Sequence, residues 1–334
     1  MTPVELKEHL IRVVEERLMI AIMIWGPPGI GKSSIVREVA EERNMNFTDL
    51  RLSQLSPTDL RGLPVPRDGV MGWLPPDFLP RKGTGILFLD EINLAPPAIQ
   101  GIAQQLVLDR CVGTYELPEG WHVWAAGNRK EDRASVFDMP APLANRFLHF
   151  DVNSDFPSFR KWAIASGIDE RIISFLAFRP ELLNQQSDNS RAWPSARTWK
   201  MADNLLKVGL RIDSAVGGGP ADEFDSYVNV YKKLPSLDAI LEGQGDHEKF
   251  PREASVRFAT TIGLGLRAKK HDQLLNGFRW LMEKGGLEWV QLYLCNMMEQ
   301  AEARGHVGMI ASALREEPRM REFLSDYRQL EQAA

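Results

Sequence analysis

The sequence predicts an α/β fold built on a parallel sheet, followed by an all-helical domain. Three observations point there. Short, continuously apolar runs recur up to about Asp155 and end in glycine, asparagine or acid residues. Segments with apolar residues at helical spacing alternate with those runs, the order that covers a parallel sheet on both faces. After about Asp155 the strand-like runs stop and amphipathic helices follow one another. The expected division is 1–153 for the α/β domain, with an irregular insert at about 54–82, and 154–334 for the helical part.

The elements follow in chain order. From Pro3 to Leu18, apolar Leu6, Leu10, Val13 and Val14 are spaced for a helix. Met19 to Trp25 is an unbroken apolar run closed by Gly-Pro-Pro-Gly and reads as a buried parallel strand. Lys32 to Arg43 reads as a helix and Phe47 to Leu52 as a second strand. Gln54 to Lys82 is so rich in proline and glycine that regular structure is expected to break repeatedly. Ile86 to Leu89 is a short buried strand. Pro96 to Leu108 is a helix opened by proline, where the missing N–H costs nothing. Cys111 to Leu117 suggests a hairpin turning near Gly113. His122 to Ala126 and Phe147 to Val152 complete the strands. The helical part is read at Phe156 to Ser166, Arg171 to Phe178, Ser195 to Lys207 and Phe224 to Lys233, punctuated by Gly217 to Pro220. Further helices are read at Arg252 to Lys270, His271 to Lys284, Leu287 to Arg304 and Pro318 to Leu330.

Composition narrows the function classes. The chain has 334 residues, 44% apolar and 25% charged, ordinary values for a soluble globular protein. Its net charge is -5, which argues mildly against a standing nucleic-acid surface. Cys111 and Cys295 are far apart, so neither a disulfide framework nor a CxxC metal pair is expected, and a reducing compartment is the default. The longest early apolar run is far short of a membrane span. A cytoplasmic protein without a membrane segment is expected. The six histidines, at 9, 122, 149, 247, 271 and 306, show no metal-ligand spacing.

Chemistry concentrates in a few segments. Gly26, Pro27, Pro28, Gly29, Ile30, Gly31, Lys32 and Ser33 match GxxxxGK(S/T) without a gap, after a strand and before a helix that continues with Ser34. Triphosphate oxygens need several N–H donors at once, and glycine lets the backbone wrap that closely. The helix N-terminus adds positive potential. Lys32 then reaches the β/γ-phosphates and Ser33 ligates Mg²⁺. Ile86 to Glu91 is an apolar strand ending in two carboxylates. With a phosphate loop upstream, that strand is expected beside the loop's own strand. Asp90 would serve the Mg²⁺ water shell, and Glu91 would orient or activate the attacking water. The strand Trp121 to Ala126 ends in Gly127 and Asn128. Asn128 is either a turn residue or an amide bonded to the γ-phosphate or the water. Arg146, ahead of the last strand, is either a helix-end carbonyl cap or an arginine finger for a neighbouring subunit. Arg197 opens a helix, where a basic residue is usually unfavourable. That placement suits a residue reaching back to the γ-phosphate, with Arg191 and Arg179 as alternatives.

In this order, these segments resemble AAA+ ATPases: Gly26 to Ser33 as Walker A, Ile86 to Glu91 as Walker B, Asn128 as sensor 1, Arg146 as the arginine finger and Arg197 as sensor 2. The runs Asp90 to Gln100 and Ser56 to Leu63 look like the MoxR family in particular. Leu94 and the stretch Ile30 to Ser33 depart from that family's usual residues. The resemblance spans roughly Leu18 to Leu206. It implies a P-loop NTPase core with a helical lid, a helix-2 insert within Gln54 to Lys82, a hairpin at Asp109 to Pro118 and Mg-ATP as cofactor. It further implies a ring, often a homo-hexamer, that remodels partner proteins carrying a von Willebrand factor A domain.

Three functions compete. The leading expectation is an ATP-driven remodeller of a protein partner. A nucleic-acid motor or loader is the alternative, encouraged by Arg110, Arg129, Lys130 and Arg133 and opposed by the acidic balance. A nucleotide-gated scaffold without turnover has no need of Glu91 and Arg146.

Overall fold

The computed structural model describes residues 1–132, 137–186, 190–304 and 307–322. Contacts divide the chain into two compact units, Met1–Ser154 and Asp155–Ala334.

The first unit opens with α1 (Pro3–Glu15). Thr2 and Glu5 form a reciprocal capping box there, and Pro3 sits in the first turn. Then come β1 (Ile22–Trp25), α2 (Lys32–Glu42), β2 (Asn46–Arg51), α3 (Pro57–Arg61), β3 (Leu63–Arg67), β4 (Val70–Leu74) and β5 (Gly85–Asp90). They are followed by α4 (Pro97–Leu108), β6 (Cys111–Val112), β7 (Tyr115–Glu116), β8 (Trp121–Gly127), α5 (Ala141–Ala144) and β9 (Leu148–Asp151). Five strands form a wholly parallel sheet in the order β2-β5-β8-β1-β9.

Side-chain alternation along these strands builds two cores. Ile22 and Ile24 of β1, Ile86 and Phe88 of β5, and Trp124 and Ala126 of β8 pack with Leu6, Leu10, Val36 and Val39 of α1 and α2. Met23, Leu87, Leu89, Val123 and Ala125 face the other way, onto Ile99, Ile102 and Leu106 of α4. All seven residues of β8 are buried, which is why this central strand reads as one apolar run. In a parallel sheet every strand ends on the same edge, so the β1, β5 and β8 termini converge there.

Four expectations are corrected. β5 does not lie beside β1, because β8 is inserted between them and pairs with both. Local apolar patterns carry no strand order, so they do not encode which strands are neighbours. The insert is more regular than its composition suggests. Ser56 and Asp59 cap α3, and β3 and β4 form an antiparallel hairpin of their own. Proline is tolerated in such a two-stranded ribbon because an edge strand has N–H positions that need no partner. The first strand starts at Ile22 rather than Met19, leaving Leu18, Met19 and Ile20 exposed. Gly217 separates two helices as expected, closing the helix Asp213–Val216 as its C-cap, but Gly218 to Pro220 already belong to the next. Gly217 is the N-cap of a helix running from Gly218, and Pro220 falls in its first turn, where proline loses no hydrogen bond.

The second unit is helical: α6 (Phe156–Ala165), α7 (Glu170–Phe178), α8 (Ala196–Lys207), α9 (Asp213–Val216), α10 (Gly218–Tyr231), α11 (Leu237–Leu241), α12 (Ala254–Arg267), α13 (His271–Lys284), α14 (Leu287–Arg304) and α15 (Val307–Glu316). Phe175, Trp199, Phe224 and Tyr227 interlock in one core, and Phe278, Leu281, Tyr293 and Leu294 in another. A last helix begins at Pro318 and is described to 322. Its expected continuation to Leu330, together with His306 and Arg133, lies outside the described residues.

Candidate nucleotide site

The site sits on the edge where β1, β5 and β8 end. β1 delivers the glycine loop, whose shape depends on two features. At Gly26 an added Cβ would lie 2.6 Å from the Val152 carbonyl oxygen and 2.7 Å from Ile30 Cδ1, so only glycine fits. Gly29 and Gly31 hold φ of 84° and 95°, a region that costs other residues about 1–2 kcal/mol. Gly31 is also the N-cap of α2 and provides no side-chain cap. The first-turn N–H groups of an 11-residue helix therefore point from the loop with positive potential, as an anion site requires. Ser34 is exposed in that first turn.

Lys32 is only 9% exposed. Its ammonium donates to the carbonyl oxygens of Gly26 and Pro27 at 2.7 and 3.1 Å and to Asn128 Oδ1 at 3.0 Å. These three acceptors span the mouth of the loop. Ser33 Oγ donates to Asp90 Oδ2 at 2.6 Å, bringing the hydroxyl from α2 and the carboxylate from β5 to one point. Two hard oxygen donors at that separation fit Mg²⁺, which takes one or two protein oxygens and otherwise keeps its waters and substrate phosphates.

Glu91 follows Asp90 with φ of 56°, a conformation unusual outside glycine and asparagine. Its N–H donates to Asp90 Oδ1 at 2.9 Å. The hydroxyl of Ser53 donates to the Glu91 carboxylate. Asp49 on β2 adds a third carboxylate nearby, in register with Phe88. Its pKa is raised, first by burial and then by the negative charge of Asp90, with Glu91 adding to it; Arg51 and Arg37 oppose the shift.

Asn128 closes the arrangement. Asn93 Nδ2 donates to the Asn128 carbonyl at 2.7 Å, and the Asn128 N–H donates to Asn93 Oδ1 at 3.2 Å. Lys32, Ser33, Asp90, Glu91 and Asn128, singled out in the sequence, thus form one constellation. Ser53 and Asn93 belong to it too, although no motif of the sequence assigns them to it. Asn93 carries a faint sequence signal, an amide two residues past the acid pair; Ser53 carries none.

Arg146 lies elsewhere. It follows α5 and precedes β9, so it feeds the N-terminal end of a strand parallel to β1, while the glycine loop leaves the C-terminal end of β1. Four residues of strand separate those edges by roughly 13 Å. Its Nη1 donates to the Pro142 carbonyl at 2.6 Å, the helix-end capping contact. Arg197, in the second unit, is exposed at the second position of α8, behind a Ser195–Thr198 capping box. Arg191 is exposed as well, whereas Arg179 is tied to Glu181 and Glu223.

Residues 21–147 match the family model for an AAA domain of the dynein-related subfamily. The first unit is thus a P-loop α/β domain of the AAA+ fold, followed in the chain by an all-helical unit. A search of the curated proteins finds no match. Among solved structures the chain is similar to NtrX from Brucella abortus in complex with ADP, at 18% identity and a TM-score of 0.40, covering 95% of this chain and 68% of that one. It is similar also to the Holliday junction branch migration motor RuvB of Thermotoga maritima, at 16% identity and a TM-score of 0.37, covering 78% and 81%. Likenesses of this strength carry no activity over to this chain.

Among the described residues no helix is long and apolar enough to cross a membrane.

Proposed function

We propose that the protein is a Mg-ATP-dependent hydrolase of the AAA+ class that assembles into a ring and remodels a protein partner. The observation that carries the hydrolase reading is the convergence of Lys32 with Asn128 and of Ser33 with Asp90 at the open N-terminus of α2. That convergence supplies a cation, a metal-binding oxygen pair and an array of backbone donors in one place.

Each side chain has a definable task. Lys32 exchanges the Gly26 and Pro27 carbonyls for β/γ-phosphate oxygens, stronger acceptors for an ammonium. Ser33 and Asp90 would hold Mg²⁺, which with ATP bound would offset charge on the phosphate oxygens. Asn128 orients the γ-phosphate or the water. Glu91, released from Ser53, takes a proton from that water as its oxygen bonds the γ-phosphorus. The bond to the β–γ bridging oxygen breaks, giving ADP and phosphate. Charge building in the transition state is met by preorganised groups rather than by reorganising solvent.

Arg146 stands at the opposite edge of the sheet from its own glycine loop, so an arginine finger role requires a neighbouring copy. This supports a closed ring, and the resemblance to the MoxR family suggests a homo-hexamer acting in the cytoplasm. A protein partner is supported by the β3–β4 hairpin. It leaves Leu63, Val70, Met71 and Leu74 between 58% and 70% exposed, four large apolar side chains open to solvent on one two-stranded ribbon. The hairpin is braced rather than free: Trp73 takes Arg61 over its ring, and its carbonyl accepts from Thr114 Oγ1 at 2.8 Å. By the same resemblance the partner carries a von Willebrand factor A domain.

The test is the ATPase rate per subunit against protein concentration, with mass photometry alongside, for wild type and Arg146→Ala. A rate that climbs with assembly and collapses in the variant is expected. A rate independent of concentration and untouched by Arg146→Ala refutes the ring reading.

A further inference from the structure

Asn93 is 3% exposed and lies in the turn between β5 and α4. β5 pairs with β8 only as far as Leu89 opposite Ala125, because the chain leaves the sheet at Asp90 and Glu91. The turn nevertheless stays attached to β8. The Ile92 N–H donates to the Ala126 carbonyl at 3.0 Å. One step further, the Asn93 side chain takes over from the missing strand, giving its N–H to the Asn128 carbonyl at 2.7 Å and accepting the Asn128 N–H at 3.2 Å. A primary amide presents a donor and an acceptor in one plane, so it can satisfy both main-chain groups of a residue at once. Neither aspartate nor serine can do this in the same way.

The surroundings are shaped to that contact. A Cβ on Gly127 would come within 2.5 Å of Asn93 Oδ1 and 2.6 Å of Met23 Cε. The main chain of Asn93 accepts the Phe137 N–H at 2.7 Å, anchoring the turn from its other side. Beyond the clamp, Asn128 Oδ1 accepts from Lys32 Nζ at 3.0 Å.

We propose that Asn93 is a positioning residue for the phosphate site. By locking the Asn128 main chain it aims the Asn128 side chain at Lys32 and at the γ-phosphate. This inference rests on the nucleotide reading above and adds a residue to it.

The test is a double-mutant cycle on the full chain with Asn93→Ala, Asn128→Ala and the pair, reading kcat and KM for Mg-ATP and Kd for a fluorescent ATP analogue. Asn93→Ala is expected to lower kcat about ten-fold or more, close to the loss in Asn128→Ala. The pair should fall no further than Asn128→Ala alone, because residues acting as a unit are not additive. An asparagine that affects the rate independently of where the Asn128 side chain is aimed would instead give losses that multiply to within about two-fold. Multiplying losses, or an unchanged kcat in Asn93→Ala, overturn the proposal. If Asn93→Ala does not fold, Asn93→Asp takes its place in the cycle with the same expectation: it keeps the size and the acceptor and removes the donor. If wild type does not turn over ATP, the hydrolase reading falls. The cycle read in Kd then still decides this inference by the same criterion of additivity.

Discussion

Replacing Asp49 by asparagine should stabilise the first unit at neutral pH. The Asp49 side chain is 20% exposed, and its nearest ion-pair partner, Arg37, stands 3.7 Å away on a side chain 54% exposed. Oδ1 is buried without a hydrogen-bond donor. Burial first, then Asp90 and Glu91, raise the carboxyl pKa. The asparagine amide would be unpartnered there too, but it is uncharged, and avoiding the extra desolvation of a carboxylate is worth about 1–3 kcal/mol, while an exposed ion pair returns about 0–1 kcal/mol. The carboxylate is still partly solvated, so the low end applies and the net gain for Asp49→Asn is about 1 kcal/mol. In a unit of this size that shifts Tm by roughly 2–4 °C.

The sign with pH follows from linkage. A carboxyl whose folded pKa is raised favours the native state while protonated, below its unfolded pKa of about 3.9. That contribution is lost as pH rises through the folded pKa. The stabilisation by asparagine should therefore be complete at pH 7–8 and shrink as pH falls toward 4. Thermal unfolding of both proteins in a chelator across that range is the assay. A lower Tm for Asp49→Asn at pH 7.5, or a difference that grows toward acid, would refute the reasoning.

Two further predictions concern the site and its braces. Ser53→Ala removes the hydroxyl that holds the Glu91 carboxylate. A hydrogen bond to a charged group is worth about 1.5–3 kcal/mol, so basal hydrolysis should rise, by about ten- to a hundred-fold, with Kd for ATP unchanged; a fall in rate shows instead that Ser53 supports the active geometry. Gly62 ends α3 with φ of 95°, and a Cβ there would meet the Leu74 carbonyl oxygen at 2.1 Å. Gly62→Ala should consequently unseat the β3–β4 hairpin, at a cost of about 2 kcal/mol or more. The expected readout is protease nicking between Leu63 and Leu74 before global unfolding, and resistance equal to wild type contradicts it.

What the sequence disclosed, and what it withheld, follow one physical division. Buried parallel strands are apolar throughout, so β1, β5 and β8 were visible as runs. The glycine loop was visible because phosphate cradling restricts the residues it can use. Strand order was not visible, since the apolar run of β8 is the same whether it lies at an edge or between β1 and β5. The β3–β4 hairpin was hidden by Pro64 and Pro66, which argue against a central strand and say nothing against a small ribbon. Gly217 is a helix boundary, at once C-cap of α9 and N-cap of α10, but local composition does not tell that Gly218 to Pro220 are already helical. Ser53 and Asn93 act through contacts 38 and 35 residues away in sequence, and no local spacing records such pairs.

The central claim is that Lys32, Ser33, Asp90, Glu91 and Asn128 constitute a hydrolytic Mg-ATP site. Its most direct test is phosphate release from Mg-ATP by wild type and Glu91→Gln, with nucleotide affinity measured on the same samples. The account predicts steady release by wild type, and at least a hundred-fold slower release by Glu91→Gln (a general base contributing roughly 10²–10⁴-fold), with ATP bound as tightly as before. Equal rates in the two proteins, or no ATP binding by wild type, would contradict it.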